Sequence, residues 1–195
     1  MSGKPNYISY PGEIVMQPSF ELGRTQIYSF ILEGDKDKLQ TTLDIRLNGT
    51  FANSGLRYKP LGSDVFFTFS VTANGHSNNA ISEKEGYILE DEIAFWMPII
   101  EEKRIAGKWV ANRLALFIPF IFVNNPFALV AGREVYGFPK TIGSFSIPAS
   151  VHYADAFTVD TMSFAKFSPN APLINNRLLE VSRPPVTSGE AFSTD

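Results

Sequence analysis

Between Asp64 and Thr72 the chain runs Asp-Val-Phe-Phe-Thr-Phe-Ser-Val-Thr, a two-residue alternation that suits a pleated strand. Phe67, Phe69 and Val71 fall on one face, with Phe66, Thr68 and Ser70 on the other. Runs rich in β-branched and aromatic residues recur at 24–33, 87–100 and 108–123, and shorter ones at 43–47, 56–59, 144–152, 156–164 and 177–181. Asn48-Gly49 and Asn53-Ser54-Gly55 supply turns. Pro98 is expected to break its strand, and Pro119 to sit at an edge or bulge. Glu101-Glu102-Lys103-Arg104 reads as a charged hairpin connection. Asn74 to Asn79 reads as a loop that leaves His76 in solvent, and His152 as a structural strand histidine. Asp35 is suited to cap a short helix over 36–40. These signals predict a mainly β (α+β) chain, an antiparallel barrel or cone with one or two short helices, in a single domain over 1–195. An irregular arm is expected over 1–20, where Pro5, Pro11, Gly12 and Pro18 interrupt isolated aromatics, and a disordered tail over 182–195.

Composition narrows the chemistry. Seventeen phenylalanines provide material for an apolar interior, and a net charge of −3 without a basic face argues against nucleic acid. There are no cysteines and only two histidines, so neither a disulfide framework nor a thiolate or histidine metal centre is expected. The N-terminus lacks a signal-peptide core. The most apolar window, 114–123, is interrupted by Pro119 and too short to cross a bilayer. A cytoplasmic protein without membrane or metal partners is the expectation.

Residues 124–143 carry the strongest local signal. Asn125 can cap a helix whose first residue, Pro126, suits that position, and Gly137 is placed to end it. Phe127, Val130, Ala131 and Glu134 share one helical face, with Leu129, Arg133 and Tyr136 on another. A helix apolar on two faces is expected to be largely buried, with partners for Arg133 and Glu134, which are assigned structural support of the following turn. Phe138-Pro139 then stiffens the backbone before Lys140. A lysine after proline is most often a surface residue. It becomes a nucleophile only when its ammonium form is disfavoured, and burial among aromatic walls does this by desolvation.

The run Gly132-Arg-Glu-Val-Tyr-Gly-Phe-Pro-Lys140 resembles the signature of the acetoacetate decarboxylase family. The similarity extends over about residues 18–145 and is strongest at 128–140. It implies that Lys140 forms a Schiff base with a small keto acid, without a cofactor. It further implies that Glu92, six positions before Pro98, is the acid/base and that Arg24 holds a substrate carboxylate. Phe95, Phe127 and Phe138 would line the substrate site, in a homo-oligomer. Three departures stand out. Thr141 occupies the position of a second lysine, Thr68 or Ser70 falls where the family has an earlier acid, and the chain is short, implying a trimmed barrel or one closed by another protomer. Without a neighbouring cation, desolvation alone would have to lower the pKa of Lys140. Decarboxylation of a β-keto acid therefore stands beside aldolase or dehydratase chemistry on a 2-keto acid, and beside a non-catalytic small-molecule-binding barrel.

Overall fold

The structure is a computed structural model that describes residues 16, 18–80, 83–149, 156–164 and 166–182. Most of the expected arm and tail, and His152, lie outside these residues. The chain divides into two compact units, Met1–Thr141 and Ile142–Asp195.

The first unit is built on a sheet of β1 (Phe20–Glu33), β2 (Leu56–Pro60), β3 (Asp64–Ser77), β4 (Ile88–Ile105), β5 (Lys108–Val123) and the short β6 (Lys140–Ile142), which starts there. The strand order is β1-β3-β4-β5-β6, with β2 also paired to β4. The mainly β class holds; among the described residues the sheet is open, with β1 and β6 at the ends of that order. In the second unit, β7 (Ser144–Ser146), β8 (Phe157–Ser163) and β9 (Ile174–Val181) form a three-stranded antiparallel sheet.

The prolines are placed where the ladder tolerates a missing N–H. Pro98 does not end β4. It lies where the neighbour changes, β3 pairing up to Trp96 and β2 from Ile99, and its carbonyl accepts from the Leu61 amide at 2.9 Å. Pro119 sits in a bulge, since Phe95 pairs with Phe120 but Met97 with Phe117. β4 therefore continues through the charged run 101–104. The β4–β5 hairpin turns instead at Ala106-Gly107, whose φ angles of 48° and 82° are both left-handed. Glu101 is buried at 3% exposure rather than solvated, and Glu102 pairs with Arg57 and Lys59.

Two other expectations change. Asp35 does cap α1 (Lys36–Leu43), its Oδ1 accepting from the Asp37 and Lys38 amides at 2.9 and 3.1 Å. The helix then continues as a π-helical turn over Asp44–Asn48, where a strand was expected. Leu43 is fully buried against Tyr58, Met97 and Ile99, so tertiary burial of this segment outweighs the β-like pattern at 43–47. β3 runs on to Ser77, which puts His76 opposite Glu21 in β1; it is half-buried, not a loop residue in solvent.

Candidate active site

β4 sets the site by its alternation. Glu90, Glu92, Ala94 and Trp96 project from one face, and Asp91, Ile93, Phe95 and Met97 from the other. The first face meets Thr68 and Ser70 of β3, Ile118 and Ile121 of β5, and α2 (Pro126–Glu134), around a cavity of about 370 Å³.

α2 is tied to the same strand at its start. Asn125 Oδ1 accepts from the Phe127 and Ala128 amides at 2.8 and 3.3 Å, while its Nδ2 donates to the Leu89 carbonyl at 2.8 Å. Asn124 exchanges bonds with Asp91, its Nδ2 donating to Oδ2 at 2.8 Å and its Oδ1 accepting from the Asp91 amide at 2.9 Å. The two asparagines thus grip the residues on either side of Glu90. At the other end, Gly137 is left-handed (φ 73°) and the Phe138 amide donates to the Gly132 carbonyl at 2.9 Å. The chain turns there and brings Lys140 back under the helix.

Lys140 is 8% exposed. Its Nζ lies 2.7 Å from Glu90 Oε1 and 2.9 Å from Glu92 Oε2. Its stem runs across Gly132 so closely that a Cβ there would fall 2.4 Å from Cδ and 2.7 Å from Cε. Only glycine fits. Arg133 is exposed, but its Nη1 donates to the Lys140 carbonyl at 2.9 Å, fixing the backbone of the same residue. Glu134 is simply exposed, so the expected burial of both helix charges is corrected: the apolar residues of α2 cover only part of its circumference.

The electrostatics differ from the expectation of a lysine whose pKa is lowered by desolvation. Burial does act to lower the Lys140 pKa and is the largest single influence. Attraction to Glu92 and Glu90, with hydrogen bonds to both, nonetheless carries it above the usual lysine value. Glu90 moves up as well, first because it is buried and further because Glu92 crowds it, despite the opposing pull of Lys140. Two carboxyls therefore compete for one ammonium. Thr141, the next residue, points away from Lys140 into solvent.

Of the residues expected at the site, Lys140, Glu92, Phe127 and Phe138 line the cavity. Phe127 and Phe138 are 41% and 39% exposed, at its rim. Phe95 is not among the lining residues. It projects from the opposite face of β4 and packs on Phe67 with ring centroids 4.5 Å apart, whereas Trp96 forms the wall. Arg24 is also absent from the lining: it is exposed and left-handed (φ 52°), and its neighbours Leu22 and Thr25 face the cavity instead. Glu90 was not singled out in the sequence, although the period-two pattern that places Glu92 places Glu90 on the same face. Tyr136 is a further lining residue, its phenol pushed up by burial. Among the described residues no cluster of three or more metal-ligating side chains occurs, and no helix is long and apolar enough to cross a membrane.

The acetoacetate decarboxylase (ADC) family model matches residues 106–164. No curated protein matches the sequence. Among solved structures, the enduracididine biosynthesis enzyme MppR with HEPES buffer bound is 14% identical at a TM-score of 0.53, over 87% of this chain and 56% of that one. An acetoacetate decarboxylase is 12% identical at a TM-score of 0.50, over 77% and 48%. An acetoacetate decarboxylase from Legionella pneumophila subsp. pneumophila str. Philadelphia 1 is 18% identical at a TM-score of 0.48, over 82% and 49%. The chain thus resembles the acetoacetate decarboxylase family in the matched segment and an acetoacetate decarboxylase in fold, and it spans about half the length of the two decarboxylase structures.

Proposed function

We propose that the protein is a Schiff-base enzyme of acetoacetate decarboxylase-like type, in which Lys140 attacks the carbonyl of a small substrate. One observation carries this: a buried lysine amine within 2.9 Å of two carboxylates, on the wall of a mostly apolar cavity. The raised pKa means that the resting amine is an ammonium ion. Activation is then a proton transfer inside the cluster. Glu90 is the suited acceptor, because burial makes its carboxylate more basic than usual and the proton has only a 2.7 Å hydrogen bond to cross. A substrate that fills the cavity displaces water and favours the uncharged amine–acid pair over the ion pair.

The amine adds to the carbonyl carbon, and the carbinolamine loses water with a proton supplied by a carboxyl of the pair. The resulting iminium withdraws electrons from the α-carbon. Loss of CO₂ from a β-keto acid, or loss of an α-proton to Glu92 in aldolase or dehydratase chemistry, would follow from the same intermediate. Trapping with borohydride across a panel of ketones, aldehydes and keto acids, read by peptide mass, is the test. A reduced adduct on Lys140, absent from Lys140→Met, is expected. Failure of every carbonyl compound to label Lys140 sinks the reading and leaves a second one, a small-molecule-binding protein with a structural ion cluster, which the raised lysine pKa favours.

A further inference from the structure

The charges and donors around the cavity discriminate between substrates. Among the described lining residues Lys140 is the only cation, and it already faces two carboxylates. The wall hydroxyls are engaged with the protein. Thr68 accepts from Trp96 Nε1 at 3.0 Å, Ser70 donates to the Glu92 carbonyl at 3.3 Å, and Thr25 shares a 3.0 Å bond with Thr72. Among the described lining residues, the Tyr136 phenol is the remaining neutral side-chain donor. Most of the wall is hydrocarbon, from Leu22, Ile27, Ile88, Trp96, Ile118 and Ile121.

From this geometry we infer that the substrate is an uncharged, largely apolar ketone or aldehyde rather than a keto acid. The inference rests on the lysine chemistry proposed above and narrows it. Iminium formation conserves charge: Lys–NH₃⁺ and R₂C=O give Lys–NH⁺=CR₂ and water. The cation is therefore neither gained nor lost, and it remains the single counter-ion for Glu90 and Glu92. A substrate carboxylate would be a third anion with no cation of its own, desolvated against aliphatic walls. A neutral carbonyl adds no charge, and one phenol donor can serve its oxygen or a neighbouring hydroxyl. The cavity, about 370 Å³, exceeds twice the roughly 150 Å³ that holds a benzene ring. It has room for an aryl or branched alkyl group beside the reacting carbon.

With no carboxylate to leave, the bond broken at the α-carbon is C–H, or C–C in a retro-aldol sense. In the first case the α-proton passes to the Glu92 carboxylate, the C–H electron pair forms the enamine C=C, and the iminium π electrons return to nitrogen. No oxidant or reductant is required.

The test compares two probes of matched skeleton on the full chain, 4-phenyl-2-butanone and 2-oxo-4-phenylbutanoate. Each is trapped with borohydride, read as adduct on the Lys140 peptide, and normalised to its trapping by a free Nα-acetyl-lysine derivative. The ketone is expected to label Lys140 at least tenfold better than the keto acid on this scale. Equal or better labelling by the keto acid overturns the neutral-substrate inference while leaving the Schiff-base reading intact. Labelling by neither probe overturns the inference; if the whole carbonyl panel also fails, the Schiff-base reading falls with it.

Discussion

β4 carries two buried carboxylate sites in opposite electrostatic states. At Glu101 the side chain is fully engaged. Asn112 Nδ2 donates to Oε1 at 2.7 Å, and Arg113 Nη2 and the Tyr58 hydroxyl donate to Oε2 at 2.8 and 3.0 Å. The bonds from Asn112 and Arg113 lead in holding this carboxyl below the usual range. A shift of register between Glu101 and Glu102 lets both of these residues reach it. At Glu90 and Glu92 the balance is reversed, with two acids to one amine, and burial lifts Glu90 above the usual range. An odd number of positions separates Glu90 from Glu101, so one site faces the cavity and the other the opposite side. Where donors match acceptors, the cluster holds β2, β4 and β5 together. Where acids outnumber the cation inside an open cavity, protons can move.

The largest effect is expected from Lys140→Met. It abolishes borohydride labelling of residue 140 and leaves two buried acids without a cation, at a cost of about 3 kcal/mol near neutral pH. The sign follows from linkage. Lys140, with its raised pKa, contributes stability that is present below its unfolded value and is lost as pH rises through the folded one. In the variant, Glu90, which burial already lifts, binds its proton more tightly when folded, so stability falls as pH rises above its ordinary value near 4.5. Denaturant melts should therefore show the deficit shrinking below about pH 5. A pH-independent deficit would mean that the cluster is not electrostatically frustrated.

Gly132→Ala is next. The new Cβ would meet the Lys140 stem at 2.4 Å, and both the helix above and the ion pairs below restrict its escape. Overpacking of this kind costs about 1–3 kcal/mol, while alanine returns about 1 kcal/mol of helix propensity. A small change in melting should thus accompany a fall of at least tenfold in Lys140 labelling. Unchanged labelling would show that the stem has room to shift.

Glu90→Gln separates pKa from proton transfer. Burial already pulls the Lys140 pKa down, and Glu92 and Glu90 are what push it up, so removing one acid moves the labelling midpoint to lower pH. The plateau rate should nonetheless fall by about 100-fold, the contribution typical of a positioned acid or base. A lower midpoint with an unchanged plateau would assign the proton transfer to Glu92 alone.

The two sites were not equally legible. Residues 125–140 announce themselves because the cap, the Pro126 start, the Gly137 stop and the rigid Phe138-Pro139 are all local, and each acts within a few positions of its cause. Glu90 was within reach by alternation, since it shares the face of Glu92, and the same rule removes Phe95 from the cavity and puts Trp96 there. Arg24 defeats such counting: its left-handed backbone reverses the alternation between Leu22 and Thr25. Glu101 was hidden for a different reason. Within its charged run it looks solvated, and only β2, which brings Tyr58, and the bulge on β5 give it an interior. Long-range pairing settles that, and periodicity does not contain it.

The smallest effect tests the structural member of the pair. Tyr58→Phe removes one of three donors from Glu101 but leaves Asn112 and Arg113 in place, so a loss of about 1 kcal/mol is expected. Burial, followed by Glu101, holds the Tyr58 phenol above its ordinary value. The wild type therefore loses a small stability increment as pH rises past about 10, which the variant lacks. Chemical melts at pH 8 and pH 11 would reveal this as a gap that narrows in the alkaline arm. Labelling of Lys140 should not change, because Tyr58 and Glu101 lie on the side of β4 away from the cavity. A labelling defect in Tyr58→Phe would couple the two carboxylate sites along the strand and break the distinction between a matched cluster that holds the fold and a mismatched one that moves protons.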